Sequence, residues 1–558
     1  MRRSIAPTFL ALSLALAGCA SSGPRPVAAL PPVSAPSAAP RLVVAISVDQ
    51  LSADLFAQYR TRFTAGLARL QQGAVFPAGF QSHAATETCP GHSTLLTGAH
   101  PSRTGIIANN WFDPGLARAD KRVYCAEDER EPASTSGSPV VSAYHLKVPT
   151  LGERMKSRWP ESRNVAVSAK DRAVIMMGGH AIDEGYWWKG GAFVTLAGRA
   201  LRPLVESENT ALAARIKKGE PAFAVPAWCA AHEREVKAGS ATVGTGHFLM
   251  EPGKEPQFRV SPRMDAATAD LAIGLTDDMQ LGQGSAPDIL SVSFSATDYI
   301  GHATGTEGVE MCIQLAELDR SVGRLLDHLD ARGIDYVVVL SADHGGLDLP
   351  ERLAEQALPQ AARADRALLP AALAKVVTAR TGISTSDPLI YADGPFGDYY
   401  LSHGLSSVQK AQVLAALVPL LKAHSQVAAV FTATELAEAP LPVGSPQDWS
   451  LKDRARASFD PLRSGDVVVL LDRAVVPIPD PSPGYTATHG SPWDYDRRVP
   501  LVFWRKGVPG MEQPAPVETV DIAPTLAALL GLSVPEGAFD GRCLDIDGSA
   551  ANSCAGPK

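Results

Sequence analysis

Six side chains with metal-ligating chemistry stand close behind apolar runs: Asp49, Asp298, His302, Asp343, His344 and His489. Carboxylate and imidazole ligands together suit zinc, and six of them can divide into two sites of three protein ligands with open positions. Two metals about 4 Å apart hold both the attacking and the leaving oxygen of an in-line displacement. Any one of these histidines, taken singly, reads as a satisfied core or surface residue. The conjunction of Asp298-x-x-x-His302, Asp343-His344-Gly345 and Thr488-His489-Gly490 carries the signal. A nucleophile accompanies them in Thr86-Glu87-Thr88-Cys89-Pro90-Gly91-His92-Ser93, where Pro90 suits the first turn of a helix. Thr88 is thereby placed at a helix N-terminus, where peptide N–H groups and the helix dipole favour an oxyanion and a bound phosphate. A threonine hydroxyl is a poor nucleophile until deprotonated, and a metal ion can hold it as the alkoxide. Without the ligands around it, Thr88 would read as a simple N-cap.

These groups need elements that gather them. Leu42–Val48 is a β-branched apolar run suited to a buried parallel strand, and it ends at Asp49. Residues 288–295 run into Asp298, residues 336–341 run into Asp343-His344, and residues 164–168 lead to Lys170. Between them, residues 311–332 form an amphipathic helical stretch with Leu315, Leu318, Val322, Leu325 and Leu326 on one face. Strands alternating with helices predict the α/β class: an α/β/α sandwich with a mostly parallel central sheet. Such sheets place ligands at the carboxyl ends of their strands, and a purely structural sheet gains nothing from four polar groups converging there. Residues 177–260, with Gly178-Gly179, Trp187-Trp188 and Gly190-Gly191, are expected to form an inserted cap. His180, Trp187 and Trp188 are candidates to line its pocket, with plain packing the alternative. Residues 350–460, rich in Ala and Leu, are expected to hold a second insertion. His92 is expected to pack below Thr88, and the remaining histidines have no ligand context.

The chain has 558 residues, 45% hydrophobic and 20% charged, with 51 Lys+Arg against 59 Asp+Glu and a net charge of −8. These values exclude disorder over most of the chain and argue against a nucleic-acid partner held by bulk charge. Arg2 and Arg3 precede an apolar run from Phe9 to Ala17, too short to span a bilayer comfortably, so residues 1–18 read as a signal peptide. Leu16-Ala17-Gly18-Cys19 resembles a bacterial lipobox. Cys19 is then the expected lipid anchor, and the location is the periplasm at the outer membrane of a Gram-negative cell, since Ala20 rather than Asp follows. Residues 19–40, almost entirely Ala, Ser, Pro, Gly and Val, read as a tether, and the folded domain is expected over 41–558. Six cysteines remain, an even number in an oxidising compartment. Cys543 with Cys554 is the favoured pair because it closes a short loop, with Cys89–Cys125 and Cys229–Cys312 behind it. A monomer is expected.

Asp49, Thr88-x-Pro-Gly-His92, Asp298-x-x-x-His302, Asp343-His344-Gly345 and His489-Gly490 together resemble the alkaline phosphatase superfamily, in the branch with the nucleotide pyrophosphatase/phosphodiesterases. Lys170-x-Arg172 and Ile107-Ala108-Asn109-Asn110-Trp111 look like its threonine-dependent monoesterases of the PafA and Sphingomonas type. The resemblance implies an alkaline phosphatase-like fold over roughly residues 41–545 and two zinc ions. Asp298, His302 and His489 would hold the first, and Asp49, Asp343, His344 and the Thr88 oxygen the second. It implies that Asn109 and Lys170 contact the non-bridging phosphoryl oxygens, that Arg172 clamps them, and that the lysine replaces a third metal. Phosphate monoesters are the implied substrates, because two extra cations reward the additional charged oxygen of a monoester. The implied route is a phosphothreonine intermediate with net retention at phosphorus. The alternatives are a nucleotide pyrophosphatase/phosphodiesterase and, more remotely, a non-catalytic surface lipoprotein. A sulfatase is disfavoured because Cys89-Pro90-Gly91-His92 lacks the Cys-x-Pro-x-Arg pattern.

Overall fold

The structure is a computed structural model that describes residues 38–548 and 552–555. The expected signal peptide, the Cys19 anchor and the tether up to Ser37 lie outside the described residues. No helix among those described is long and apolar enough to cross a membrane.

The central sheet has ten strands: β1 Leu42–Val48, β2 Ala74–Phe80, β3 Asn164–Ser168, β4 Glu184–Lys189, β5 Ala192–Val194, β6 Asp288–Phe294, β7 Tyr336–Ser341, β8 Arg498–Arg505, β9 Met511–Glu512 and β10 Val517–Glu518. Their order is β9-β2-β8-β7-β1-β6-β3-β4-β5, with β10 also paired to β2. The run β7-β1-β6-β3-β4 is parallel throughout, while β8 is antiparallel to both β7 and β2. Every residue of β1, β3, β6 and β7 is buried, as strands covered on both faces require. Apolar side chains from alternate positions feed two cores. One holds Val44, Ile46, Val292 and Leu340 beneath the helices Pro262–Asp278 and Val309–Ala331. The other holds Val43, Ala45, Ile289 and Val339 against Leu95, Leu96 and Leu526.

Register decides what meets at the sheet edge. Val48 lies beside Phe294, Ser47 beside Ser341, and Ser293 beside Ser168. The four strands therefore end level, and the residues just beyond them (Asp49, Asp298, Asp343 and Lys170) emerge over one edge. Thr88 arrives on the helix α1 Thr88–Thr97, which is buried along its whole length. Asp298 and His302 share the helix α2 Ala296–Thr304.

Both expected insertions have different limits. Residues 184–194 are strands of the central sheet, not cap, because Trp187 and Trp188 alternate into cores on opposite faces of it. The second insertion carries its own antiparallel sheet, ordered Ile390–Tyr391, Gly397–Leu401, Val467–Leu471, Val427–Thr432. Its third strand lies beyond residue 460, so the unit extends further than composition indicates. The helices Pro370–Thr381 and Ser407–Lys422 supply Leu373, Val377, Val413 and Leu417 to its core. All three expected disulfides are formed, Cys89–Cys125, Cys229–Cys312 and Cys543–Cys554.

The contact between α1 and the loop after β7 leaves no room for a side chain. A Cβ on Gly91 would lie 1.9 Å from the Asp343 carbonyl oxygen. Gly91→Ala is expected to lower the unfolding free energy by about 1–3 kcal/mol, measured by urea denaturation. Gly137→Ala, with nothing within 4 Å, is the control and should change it by less than about 0.5 kcal/mol.

Candidate metal centre and active site

The structure gathers the six predicted ligands into two groups. Asp298, His302 and His489 form one, Asp49, Asp343 and His344 the other, and within each group the ligand atoms lie within 4.8 Å of one another. In the first, Asp298 Oδ1 is 3.2 Å from His302 Nε2 and 3.3 Å from His489 Nε2. In the second, His344 Nε2 is 3.3 Å from Asp343 Oδ2 and 3.4 Å from Asp49 Oδ1. The groups adjoin, with the His344 and His489 rings stacked at 3.6 Å between centroids.

The donor set fits metal ions. Each ligand histidine hydrogen-bonds through Nδ1 to a backbone carbonyl: His302 to Ala487, His344 to Gly345 and His489 to Thr86, all at 2.8 Å. That contact fixes the tautomer and leaves Nε2 as a lone-pair donor aimed inward. Burial lowers His489 and takes His344 down to about 3, so both rings are neutral at physiological pH. Asp49 Oδ1, Asp298 Oδ1 and His344 Nε2 are buried without any hydrogen-bond partner. Unpaired buried acceptors are costly, and cations placed among them would satisfy all three.

Lys170 stands between the groups. Its Nζ lies 2.6 Å from Asp49 Oδ2 and 2.5 Å from Asp298 Oδ2, and it donates to Thr88 Oγ1 at 3.4 Å. Lys170 is only 3% exposed. Burial acts to lower its pKa, but the Asp298 and Asp49 carboxylates outweigh it and hold Lys170 above the usual lysine value. Its charge acts on both acids. Burial opposes ionisation of Asp298, yet His302 and Lys170 hold it well below the ordinary range, whereas burial and the adjacent Asp343 push Asp49 well above it. Asp343 is also depressed against its burial, by His344 and His92.

Thr88 opens α1, and Arg172 Nη2 donates to its Oγ1 at 3.4 Å. The Arg172 Nε is buried with no partner. Asn109 accepts from Cys89 N–H through Oδ1 at 2.8 Å, while its own backbone N–H donates to Glu87 Oε2 at 2.8 Å. Its remaining amide donor, Nδ2, is thus left for the cavity that Asn109 lines. His92 is buried below Thr88, with Nδ1 2.9 Å from the Thr88 carbonyl and Nε2 2.9 Å from Ser293 Oγ. It also lies 3.1 Å from Asp343 Oδ2, so it supports a ligand rather than acting as one.

Every predicted site residue is therefore at one place: Asp49, Thr88, Asn109, Lys170, Arg172, Asp298, His302, Asp343, His344 and His489. The proposed pocket lining by His180, Trp187 and Trp188 is overturned. Trp187 and Trp188 are 5% and 6% exposed, Trp188 stacks on Phe258, and His180 pairs with Glu153 at 3.1 Å. A cavity of about 250 Å³ that Asn109, Arg172, His302 and His489 line is walled instead by Phe396, Asp398, Phe459 and Tyr485 together with Glu87. Glu87 stood inside the threonine motif and gave a signal. The others sit in stretches with no ligand spacing and no periodicity, and only folding of the second sheet brings them over the site.

A family model described as type I phosphodiesterase / nucleotide pyrophosphatase matches residues 43–492, and the chain belongs to that family, within the alkaline phosphatase superfamily. Among its relatives, alkaline phosphatase PhoK of a Sphingomonas species is 53% identical over 93% of each chain. Alkaline phosphatase PhoD of Zymomonas mobilis is 50% identical over 92% of this chain and 89% of its own. The fold is similar to the crystal structure of wild-type alkaline phosphatase PafA, with a TM-score of 0.79 at 24% identity over 92% of this chain and 100% of that one.

Chelation with EDTA followed by desalting should lower the thermal midpoint, and adding back a divalent metal should restore it. A metal at about 1,000 times its dissociation constant stabilises by roughly 4 kcal/mol, and calorimetry of the two forms measures the difference.

Proposed function

We propose that the chain is an alkaline phosphatase that hydrolyses phosphate monoesters through a phosphothreonine intermediate at a two-zinc centre. The observation that carries this reading is the position of Thr88 Oγ1. It lies at the N-terminus of a buried helix, 3.4 Å from both Lys170 Nζ and Arg172 Nη2, beside two complete ligand triads. The names of the PhoK and PhoD relatives support the same activity.

Asp298, His302 and His489 would hold one zinc, and Asp49, Asp343, His344 and the Thr88 oxygen the other. When bound, the two ions supply Lewis-acid charge for the attacking and leaving oxygens. Lys170, Arg172 and Asn109 hold the non-bridging phosphoryl oxygens, so that the dianion is neutralised before bonds change. Thr88 Oγ1, having lost its proton to water, forms a bond to phosphorus as the ester oxygen leaves with the electron pair of the broken bond and takes up a proton to become the alcohol. Water then attacks the phosphorus of the phosphothreonine, the Oγ1–phosphorus bond breaks with its electron pair on Oγ1, and inorganic phosphate departs with the oxygen of that water. Two in-line displacements give net retention at phosphorus.

Lys170 and Arg172 favour monoesters over diesters, since a diester lacks the third charged oxygen that two cations reward. Export is part of the proposal: residues 1–18 act as a signal and Cys19 as a lipid anchor holding the domain at the outer membrane. Three disulfides support an oxidising compartment.

Turnover of p-nitrophenyl phosphate should exceed that of bis-p-nitrophenyl phosphate, and metal analysis should find two zinc ions per chain. Thr88→Ala is expected to lower kcat by about 10³-fold or more while retaining the metals. Lys170→Ala and Arg172→Ala should each reduce the monoester-to-diester ratio of kcat/KM by about tenfold. A wild-type preference for the diester would make the chain a phosphodiesterase, and unchanged turnover by Thr88→Ala would remove threonine from the mechanism.

A further inference from the structure

The cavity beside the His302–His489 pair is lined by two unlike sets of side chains. Its floor carries Arg172, Asn109 and the imidazoles of His302 and His489. The adjoining wall carries aromatic rings and carboxylates. The Phe396 ring lies against Gly490, where an added Cβ would come within 3.0 Å of its Cε2 and Cζ atoms. Tyr485 stands 5.4 Å from the His302 ring, between centroids, and is 47% exposed. Two aromatic side chains thus flank the Asp298–His302–His489 triad.

Three acids line the same cavity, and they differ in how they are satisfied. Asp393 has its own cation in Arg122 at 2.7 Å and also accepts from Asn110 Nδ2 at 3.1 Å. Among the described residues, Asp398 accepts only the Gly465 N–H, at 2.6 Å, and Glu87 only the Asn109 N–H, at 2.8 Å. Among the described residues, neither Asp398 nor Glu87 forms an ion pair. Burial takes Asp398 up to about 6, which leaves it ionised in alkaline solution.

We propose that this wall selects phosphate monoesters whose alcohol carries an ammonium group of the choline or ethanolamine kind, with Phe396 and Tyr485 against the cation and Asp398 and Glu87 as its counter-charge. The inference rests on the monoesterase reading above and names the substrate class of that same site. Aromatic faces attract quaternary ammonium groups through the ring quadrupole, by about 0.5–2 kcal/mol according to exposure. Unpaired carboxylates add Coulombic attraction for a cation and repel a leaving group that bears further anionic charge. The positive floor and the negative wall match a dipolar ester end to end.

The test compares phosphocholine with its uncharged isostere 3,3-dimethylbutyl phosphate, with p-nitrophenyl phosphate as reference. The enzymes are wild type, Asp398→Asn and Phe396→Ala at alkaline pH. The measured quantity is the phosphocholine-to-isostere ratio of kcat/KM within each enzyme, so incomplete folding of a variant and the intrinsic reactivity of the two esters both cancel. The wild-type ratio is expected to exceed that of each variant by about fivefold. Equal ratios in all three, with p-nitrophenyl phosphate still hydrolysed, overturn this inference alone. If wild type hydrolyses none of the monoesters, the monoesterase reading falls and this inference with it.

Discussion

Three carboxylates are buried at the site, Asp49 and Asp343 in one ligand group and Asp298 joined to Asp49 through Lys170, and the rest of the structure answers to that constraint. Moving a carboxylate out of water costs several kcal/mol even after relaxation. Lys170 offsets part of that cost for two of the acids by touching both. The arrangement tolerates no slippage, because Lys170 reaches Asp49 and Asp298 only if β1, β6 and β3 end level. A sheet whose central strands are wholly buried, with cores on both faces, provides that rigidity.

Thr88 is positioned by a separate set of constraints. Helix α1 approaches the loop after β7 so closely that only glycine fits at residue 91. At its N-terminus, Asn109 accepts from Cys89 N–H, and the Asn109 carbonyl accepts from Cys125 N–H at 3.0 Å. The disulfide between these two cysteines closes the same local unit. Thr88, Asn109 and the segment around Cys125 are therefore held as one block, packed against the Asp343–His344 loop by backbone contact. His92 extends the coupling, since it reaches both the Thr88 carbonyl and Asp343.

The second sheet adds what the central sheet cannot. His302, His489, Asn109 and Arg172 lie on one part of the cavity lining, whereas Phe396 and Asp398 come from Gly397–Leu401 and the residue just before it. Changes in the wall can alter which alcohol is accepted without moving a ligand.

The sequence by itself determined the strands that carry the site and the residue types that follow them. Apolar β-branched runs such as Leu42–Val48 and Tyr336–Ser341 have one stable use, and a carboxylate directly after such a run is a local, visible signal. Asp49, Asp343 and Lys170 were legible as site candidates for that reason, and Thr88 and His489 through their motifs, as was the family to which those motifs belong. Tertiary structure decided which ligands share a group, because that depends on strand order and register between segments hundreds of residues apart. It also moved Trp187 and Trp188 from an expected cap into the central sheet, since a short run with aromatic residues has no periodicity to tell a strand from an insertion. Phe396, Asp398 and Tyr485 became part of the cavity only through the fold of a second sheet, whose pairing depends on long-range contacts and leaves no spacing in the chain.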